Sequence, residues 1–156
     1  MNPSLDFTRL SRISPVTIAH HMSDPRMRSH MPLLEGPWTV EQAEAFIRGK
    51  EARWEEDGLG HWAFLLGGTY VGWGGFEKEP DAWDFALVLT PEAFGVGPRI
   101  ARKAIDFAQC DERIDAVVFQ LAPTRRSVRA LERLGAKPAG ESQVAGETFI
   151  KFRLET

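Results

Sequence analysis

The sequence predicts a mixed α/β domain built on a largely antiparallel, twisted sheet of about six to seven strands with one parallel pair, flanked by about four helices. Three observations carry this expectation. A long segment from Thr39 places apolar residues at helical spacing, and the apolar period then changes to two across three consecutive segments ending at Leu89. After these come a strand, a Gly-x-Gly step, a helix and a second strand in that order, which requires a crossover and therefore a parallel pair.

From the start of the chain, Leu5 to Ser11 alternates weakly and is read as a first strand. Ser14-Pro15 opens a helix, because serine accepts a backbone N–H at the cap and proline loses nothing at the first helical position. Asp24-Pro25 ends it, and Met27 to Trp38, with Pro32, Gly36 and Pro37, is expected as a loop. Thr39-Val40-Glu41-Gln42 has the pattern of a capping box, so a helix begins there. Val40, Ala43, Phe46, Ile47 and Trp54 form its apolar face, and Gly58 suits its stop.

His61–Leu66, Tyr70–Phe76 and Trp83–Leu89 form a meander. Gly72, Gly74 and Gly75 inside the second of these strands imply a bulge, or a close approach by another backbone or a ligand. In the third, Trp83, Phe85, Leu87 and Leu89 share one face, and Asp84, Ala86, Val88 and Thr90 the other. Pro98 to Gln109 is an amphipathic helix, and Ala116–Ala122 is apolar on both faces, as a central strand is. Thr124 caps a further helix with Val128, Leu131 and Leu134 inward and Gly135 at its stop, and Glu147–Leu154 closes the sheet.

At 156 residues with 43% hydrophobic content, the chain can bury a core without metal or disulfide staples, and a single domain over residues 1–156 is expected. A net charge of -3, from 19 basic and 22 acidic residues, offers no global attraction for nucleic acid or an anionic membrane. Cys110 is the only cysteine, which excludes an internal disulfide and fits a reducing compartment such as the cytoplasm. No run of about 18 or more apolar residues suggests a membrane span, and the N-terminus lacks the pattern of an export signal.

The chemistry narrows first by elimination. Gly95-Val96-Gly97 lacks the Lys-Ser/Thr of a nucleotide-hydrolysing loop and the third glycine of a dinucleotide fingerprint. There is no Gly-x-Ser-x-Gly and no His-Glu-x-x-His, and His20, His21, His30 and His61 have no metal-ligand spacing. What remains is a helix entered through glycines, with Arg99, Arg102 and Lys103 in its first turns, where unpaired N–H groups and the macrodipole favour an anion. A plain tight turn is the competing explanation.

The order of long helix, meander, strand-Gly-x-Gly-helix, strand and capped helix ending Glu132-Arg133-Leu134-Gly135-Ala136 resembles the GNAT superfamily of acetyl-CoA-dependent N-acyltransferases. Asp24-Pro25, Trp38-Thr39, Phe94-Gly95-Val96-Gly97 and Ser127–Gly135 are most similar to the branch containing the ribosomal-protein N-terminal acetyltransferases. The family's pyrophosphate loop usually reads Gln/Arg-x-x-Gly-x-Gly/Ala, with glycines matching here as Gly95 and Gly97, and with Glu92 and Pro98 as departures.

The resemblance implies acetyl-CoA as cosubstrate. Its pyrophosphate would be cradled by Phe94, Gly95, Val96, Gly97 and Arg99, with Arg99 or Arg102 as charge partner, and its pantetheine would lie along the backbone of Leu87, Val88 and Leu89. Thr124 stands where relatives carry a cofactor-contacting Asn, and Arg126 or Arg129 lies near the expected adenosine 3'-phosphate. For catalysis it implies Asp84 as base, in the place of a strand Glu. Ser127 is implied as acid, because Leu131 replaces the usual Tyr and Tyr70 is the only tyrosine. The ordinary alternatives, a solvated strand carboxylate and a helix hydroxyl, stay open.

The acceptor is an amine, either a protein N-terminus or a small molecule, and the acidic set Glu35, Glu77, Glu79, Asp81 and Asp84 suits a cationic one. Trp73, Met31 and His30 are candidates for its pocket, and a homodimer is compatible with the pattern. A non-catalytic acyl-CoA-binding or regulatory module of the same fold is the alternative function.

Overall fold

In the computed structural model, which describes residues 3–29, 31, 36–121 and 128–156, the chain enters through strand β1 (Leu5–Arg9) and a short 3-10 turn, Leu10–Arg12. Helix α1 (Pro15–Met22) follows, its first turn closed by the Ser14 side chain accepting the Val16 N–H at 3.3 Å. After a second 3-10 turn, Pro25–Ser29, helix α2 (Val40–Asp57) starts at the anticipated capping box. Thr39 accepts the Gln42 N–H at 3.1 Å, and Gln42 accepts the Thr39 N–H at 2.8 Å. Gly58 ends it in the left-handed conformation at φ 81°.

The face of α2 differs from expectation at one end. Ala43 and Ile47 are buried and Phe46 and Trp54 half-buried, but Val40, at the first helical position, is 37% exposed.

Strands β2 (His61–Leu66), β3 (Thr69–Lys78) and β4 (Trp83–Leu89) form the meander. A 3-10 turn, Pro91–Val96, leads into α3 (Gly97–Cys110), and β5 (Ala116–Leu121), α4 (Val128–Arg133), β6 (Lys137–Val144) and β7 (Glu147–Glu155) complete the order. The sheet runs β1-β2-β3-β4-β5-β7-β6, with β4–β5 parallel and its other described pairs antiparallel. This is the mixed sheet with one parallel pair that the sequence order requires.

The core lies on both faces. Ile105 and Ala108 of α3 and Leu131 of α4 pack with Phe76, Phe85, Val117 and Phe119 on one. Ile18 and Met22 of α1 and Ala43 and Ile47 of α2 pack with Ala63, Trp73 and Val88 on the other. Cys110 is exposed at the end of α3. Among the described residues no helix is long and apolar enough to cross a membrane.

The glycines of β3 answer to a neighbouring backbone. The β2–β3 register shifts between Phe64 and Leu65, where Val71 is the extra residue. A Cβ built on Gly72 or Gly74 would collide with the carbonyl oxygens of Val88 and Ala86 on β4. So β3 holds β4 at a separation that only glycine allows.

Strand β6 is not legible from periodicity. Pro138 and Gly140 interrupt it, and its register with β7 breaks between Pro138 and Glu141. It is tolerated because β6 is an edge strand, where a missing N–H costs no ladder bond. Its hairpin turns through Ala145 and Gly146 at φ 51° and 83°, a conformation that suits Asn-Gly far better than Ala-Gly. Ala145→Asn is expected to add about 1 kcal/mol to the unfolding free energy. Urea unfolding checks this, and a lower midpoint would contradict the turn assignment.

Candidate active site

The parallel pair at the centre of the sheet is short. β4 and β5 are in register only at Trp83–Val117 and Asp84–Val118, whereas β3 follows β4 from Lys78–Trp83 to Gly72–Leu89. Beyond Asp84 the two parallel strands part, so Asp84 stands at the apex of a V-shaped notch between β4 and β5. Strand alternation decides which backbone groups face it. Thr90 donates its N–H to the Val71 carbonyl at 2.9 Å, and the Ala86 and Val88 carbonyls lie against the glycines of β3. The even residues therefore spend their backbone groups on β3, and Phe85, Leu87 and Leu89 turn theirs toward β5. Of the expected Leu87, Val88 and Leu89, Val88 is thus directed away from the notch, and its side chain is buried beneath α1 and α2.

The turn after β4 supplies the second part. Neither Gly95 nor Gly97 adopts a positive φ, so no left-handed conformation requires glycine at either position. Among the described residues, no atom lies within 4 Å of a Cβ built on Gly95, which leaves open space beside it there. α3 begins with Pro98 in its first turn, no acidic residue there and no side-chain cap. Its end therefore keeps the positive partial charge of an uncapped helix. The turn is wound more tightly than a loose glycine loop: the Gly97 N–H donates to the Phe94 carbonyl. Val96 is the residue preceding the helix, and Phe94 is 37% exposed.

The cations of α3 divide. Arg99 donates to the Pro3 carbonyl at 2.7 Å and Lys103 to the Leu5 carbonyl at 2.6 Å, so both fasten α3 to the start of the chain. Arg102 is exposed and has no side-chain partner among the described residues. Glu92, the acidic departure, meets Arg26 at 2.6 Å, and Arg26 also grips Asp24 at 2.6 Å. Hydrogen bonding to Arg26 holds Asp24 down at about 2 and lowers Glu92 as well. The charge of Glu92 is thus answered by a cation from the turn after α1. Thr124, Arg126 and Ser127 lie outside the described residues.

Asp84 is half-buried, on the α1/α2 face. Gln120 Nε2 donates to Asp84 Oδ1 at 3.2 Å, and Ser142 Oγ donates to Gln120 Oε1 at 2.7 Å, which fixes the amide's orientation. Burial pushes Asp84 up to about 6, with Glu79 and Glu77 adding to the rise and Gln120 opposing it. Periodicity does not identify Gln120 and Ser142 as the support of Asp84. The available signal is that Gln120 is the one polar residue in the apolar run Ala116–Ala122.

Around Asp84 the same face carries Glu77, its cross-strand partner, and Lys50 from α2, 3.4 Å from Glu77. Trp73 stacks on His61 with centroids 5.5 Å apart. His21 Nδ1 is hydrogen-bonded to the Tyr70 hydroxyl at 2.7 Å, and burial raises Tyr70 far above its usual range, so the phenol stays neutral. Burial lowers His21, partly offset by the Leu89 carbonyl, although Nε2 has no partner of hydrogen-bond geometry among the described residues. Met31 is half-buried against this side, and His30 and Glu35 fall outside the described residues.

His61 is buried with both ring nitrogens unpartnered among the described residues, and burial, reinforced by Lys50, pushes it down to about 3. Its folded pKa is below its unfolded value of 6.5, so the unfolded chain takes up the proton first on acidification. The stability linked to this group is complete above pH 6.5 and is lost as pH falls toward about 3. His61→Phe should therefore gain about 2 kcal/mol relative to the parent between neutral pH and about pH 5. Urea unfolding at the two pH values checks this, and parallel pH dependence would contradict it.

Residues 10–137 match the family model described as an acetyltransferase (GNAT) domain. No curated protein matches the chain. The fold is similar to that of an acetyltransferase from Agrobacterium tumefaciens strain C58, at 20% identity over 100% of this chain and 93% of that one, with a TM-score of 0.76. It is also similar to an aminoglycoside acetyltransferase solved with coenzyme A, at 11% identity, 97% and 95% coverage and a TM-score of 0.77. A spermidine N-acetyltransferase from Vibrio cholerae, solved with CoA and spermine, gives 12% identity, 97% and 95% coverage and a TM-score of 0.75. With the family model spanning most of its length, the chain belongs to the GNAT acetyltransferase family.

Proposed function

We propose that the protein is an N-acetyltransferase that moves the acetyl group of acetyl-CoA to a primary amine by direct attack in a ternary complex. The observation that carries the reading is the parting of β4 from β5 immediately beyond a carboxylate of raised pKa. Acetyl-CoA supplies an activated acyl group as a thioester. Its pantetheine lies in the notch against the backbone groups of Phe85, Leu87 and Leu89, and its diphosphate over Gly95, Val96 and the start of α3, with Arg102 as the available cation.

Asp84 then faces the amine. At neutral pH a group titrating near 6 is mostly ionised, yet it is a stronger base than an ordinary aspartate, which suits proton removal from an ammonium, directly or through water. The nitrogen forms its bond to the acyl carbon, the carbon–sulfur bond breaks, and the thiolate takes a proton. Ser127 is proposed for that last step on the family resemblance. The likeness to the ribosomal-protein N-terminal acetyltransferases favours a protein N-terminus as acceptor, and the carboxylates around Asp84 favour a small cationic amine.

Isothermal titration with acetyl-CoA, followed by a panel of amines assayed for release of free CoA, tests this reading. Saturable binding and amine-dependent release are expected. Binding without release from any amine would leave a non-catalytic acyl-CoA module, and no binding at millimolar acetyl-CoA would sink both.

A further inference from the structure

One cation lies inside the face assigned to the acceptor. Lys50 follows Phe46 by one helical turn on α2, and its ammonium is 5.6 Å from the Phe46 ring centroid and 5.5 Å from that of Trp73. The two rings meet edge to face at 4.8 Å, and Trp38 packs on Phe46 at 5.1 Å. Glu77 Oε1 approaches the ammonium at 3.4 Å, and only 20% of the lysine side chain is exposed. Aromatic faces and a carboxylate around one positive charge are what a site for an organic ammonium consists of.

The lysine fills this site without being fixed in it. At 3.4 Å the ion pair is longer than a charge-assisted hydrogen bond, and the carboxylate partner is 40% exposed, so the contact contributes little and exchanges readily. Lys50 is also outnumbered. Glu77 is the cross-strand partner of Asp84, and Glu77 and Glu79 both act on Asp84. Two carboxylates and one ammonium thus act on Asp84, and the excess of negative charge at that carboxylate suits an incoming ligand with more than one cationic centre.

We propose that Lys50 is a built-in competitor for the second ammonium of a diamine acceptor, and so a specificity-determining residue. One amine of the acceptor meets Asp84. The other displaces the Lys50 ammonium from Phe46, Trp73 and Glu77, and the flexible lysine stem swings toward solvent. The inference rests on the acetyltransferase reading and adds the charge and valency of the acceptor to it.

Steady-state kinetics with the diamines from propanediamine to hexanediamine, against monoamines of matching length, tests it on the full chain. In Lys50→Met the ratio of kcat/KM for the best diamine to that for its monoamine is expected to rise about tenfold, mainly through KM. Lys50→Arg, which keeps a cation in the cage, stays near the parent ratio, and Glu77→Gln lowers it. An unchanged or lower ratio in Lys50→Met overturns the proposal. So does mass-spectrometric detection of acetylated Lys50 after incubation with acetyl-CoA alone, which would make the lysine a substrate. Turnover of monoamines and diamines with equal efficiency in every variant overturns this inference and leaves the acetyltransferase reading intact, whereas no turnover of any amine overturns both.

Discussion

Asp84→Asn is expected to lower kcat/KM for the amine about a hundred- to a thousandfold and, in the same protein, to raise stability at neutral pH. The two effects have one cause. The carboxylate is held partly out of water beside Glu77 and Glu79, which raises it to about 6 and makes it both a better base and a source of instability when ionised. A folded-state pKa above the unfolded value of 3.8 means that the folded chain holds the proton longer. The associated stability is present below pH 3.8 and is lost as pH rises through about 6. Asparagine removes that loss and can still accept from Gln120, so the gain at neutral pH is about 3 kcal/mol and vanishes near pH 4. In the parent, kcat/KM should rise with pH through about 6. Denaturant melts and a pH–rate profile read both halves, and unchanged turnover in the variant would remove Asp84 from the chemistry while leaving the family untouched.

Gly74→Val is expected to cost about 4 kcal/mol or more, enough to unfold a marginal domain. The atom that a new Cβ meets is the Ala86 carbonyl oxygen, with the Leu87 Cα 3.1 Å away, and backbone cannot rotate aside as a side chain does. Relief would come only by pushing β4 away from β3 and into the notch. Any fraction that does fold should therefore bind acetyl-CoA poorly. Thermal melting and titration of the soluble fraction check the pair of effects, and a variant with parental melting and affinity would show that the close approach of β3 and β4 is not required.

Much of this arrangement is legible in the sequence because it is local. Thr39 and Gln42 announce a capping box three residues apart, Gly58 and Gly135 end helices with positive φ, and the alternation of Trp83–Leu89 separates two faces of one strand. Features that depend on register or distant partners are not legible. Arg99 looks like a phosphate ligand by its position in the helix, but its partner is Pro3, 96 residues away. Glu92 reads as an unfavourable charge until Arg26, 66 residues away, is found beside it. Gln120 supports Asp84 from the strand that the crossover makes its neighbour, but Ser142 reaches Gln120 from β6 across β7, and β6 hides behind a proline and a glycine that only an edge strand tolerates. Val88 shows the limit within a single strand. Pattern places it beside Leu87 and Leu89, but alternation turns its backbone to β3.

Amide hydrogen exchange resolved along β4, with and without saturating acetyl-CoA, tests the central claim most directly, since it reports binding and location together. Exchange at Leu87 and Leu89 should slow about tenfold or more in the presence of acetyl-CoA, with Gly95 and Val96 slowed alongside and edge strand β6 unchanged. Unaltered exchange in β4 at millimolar acetyl-CoA, or protection confined to another part of the sheet, would contradict the assignment of the β4–β5 notch as the acetyl-CoA site.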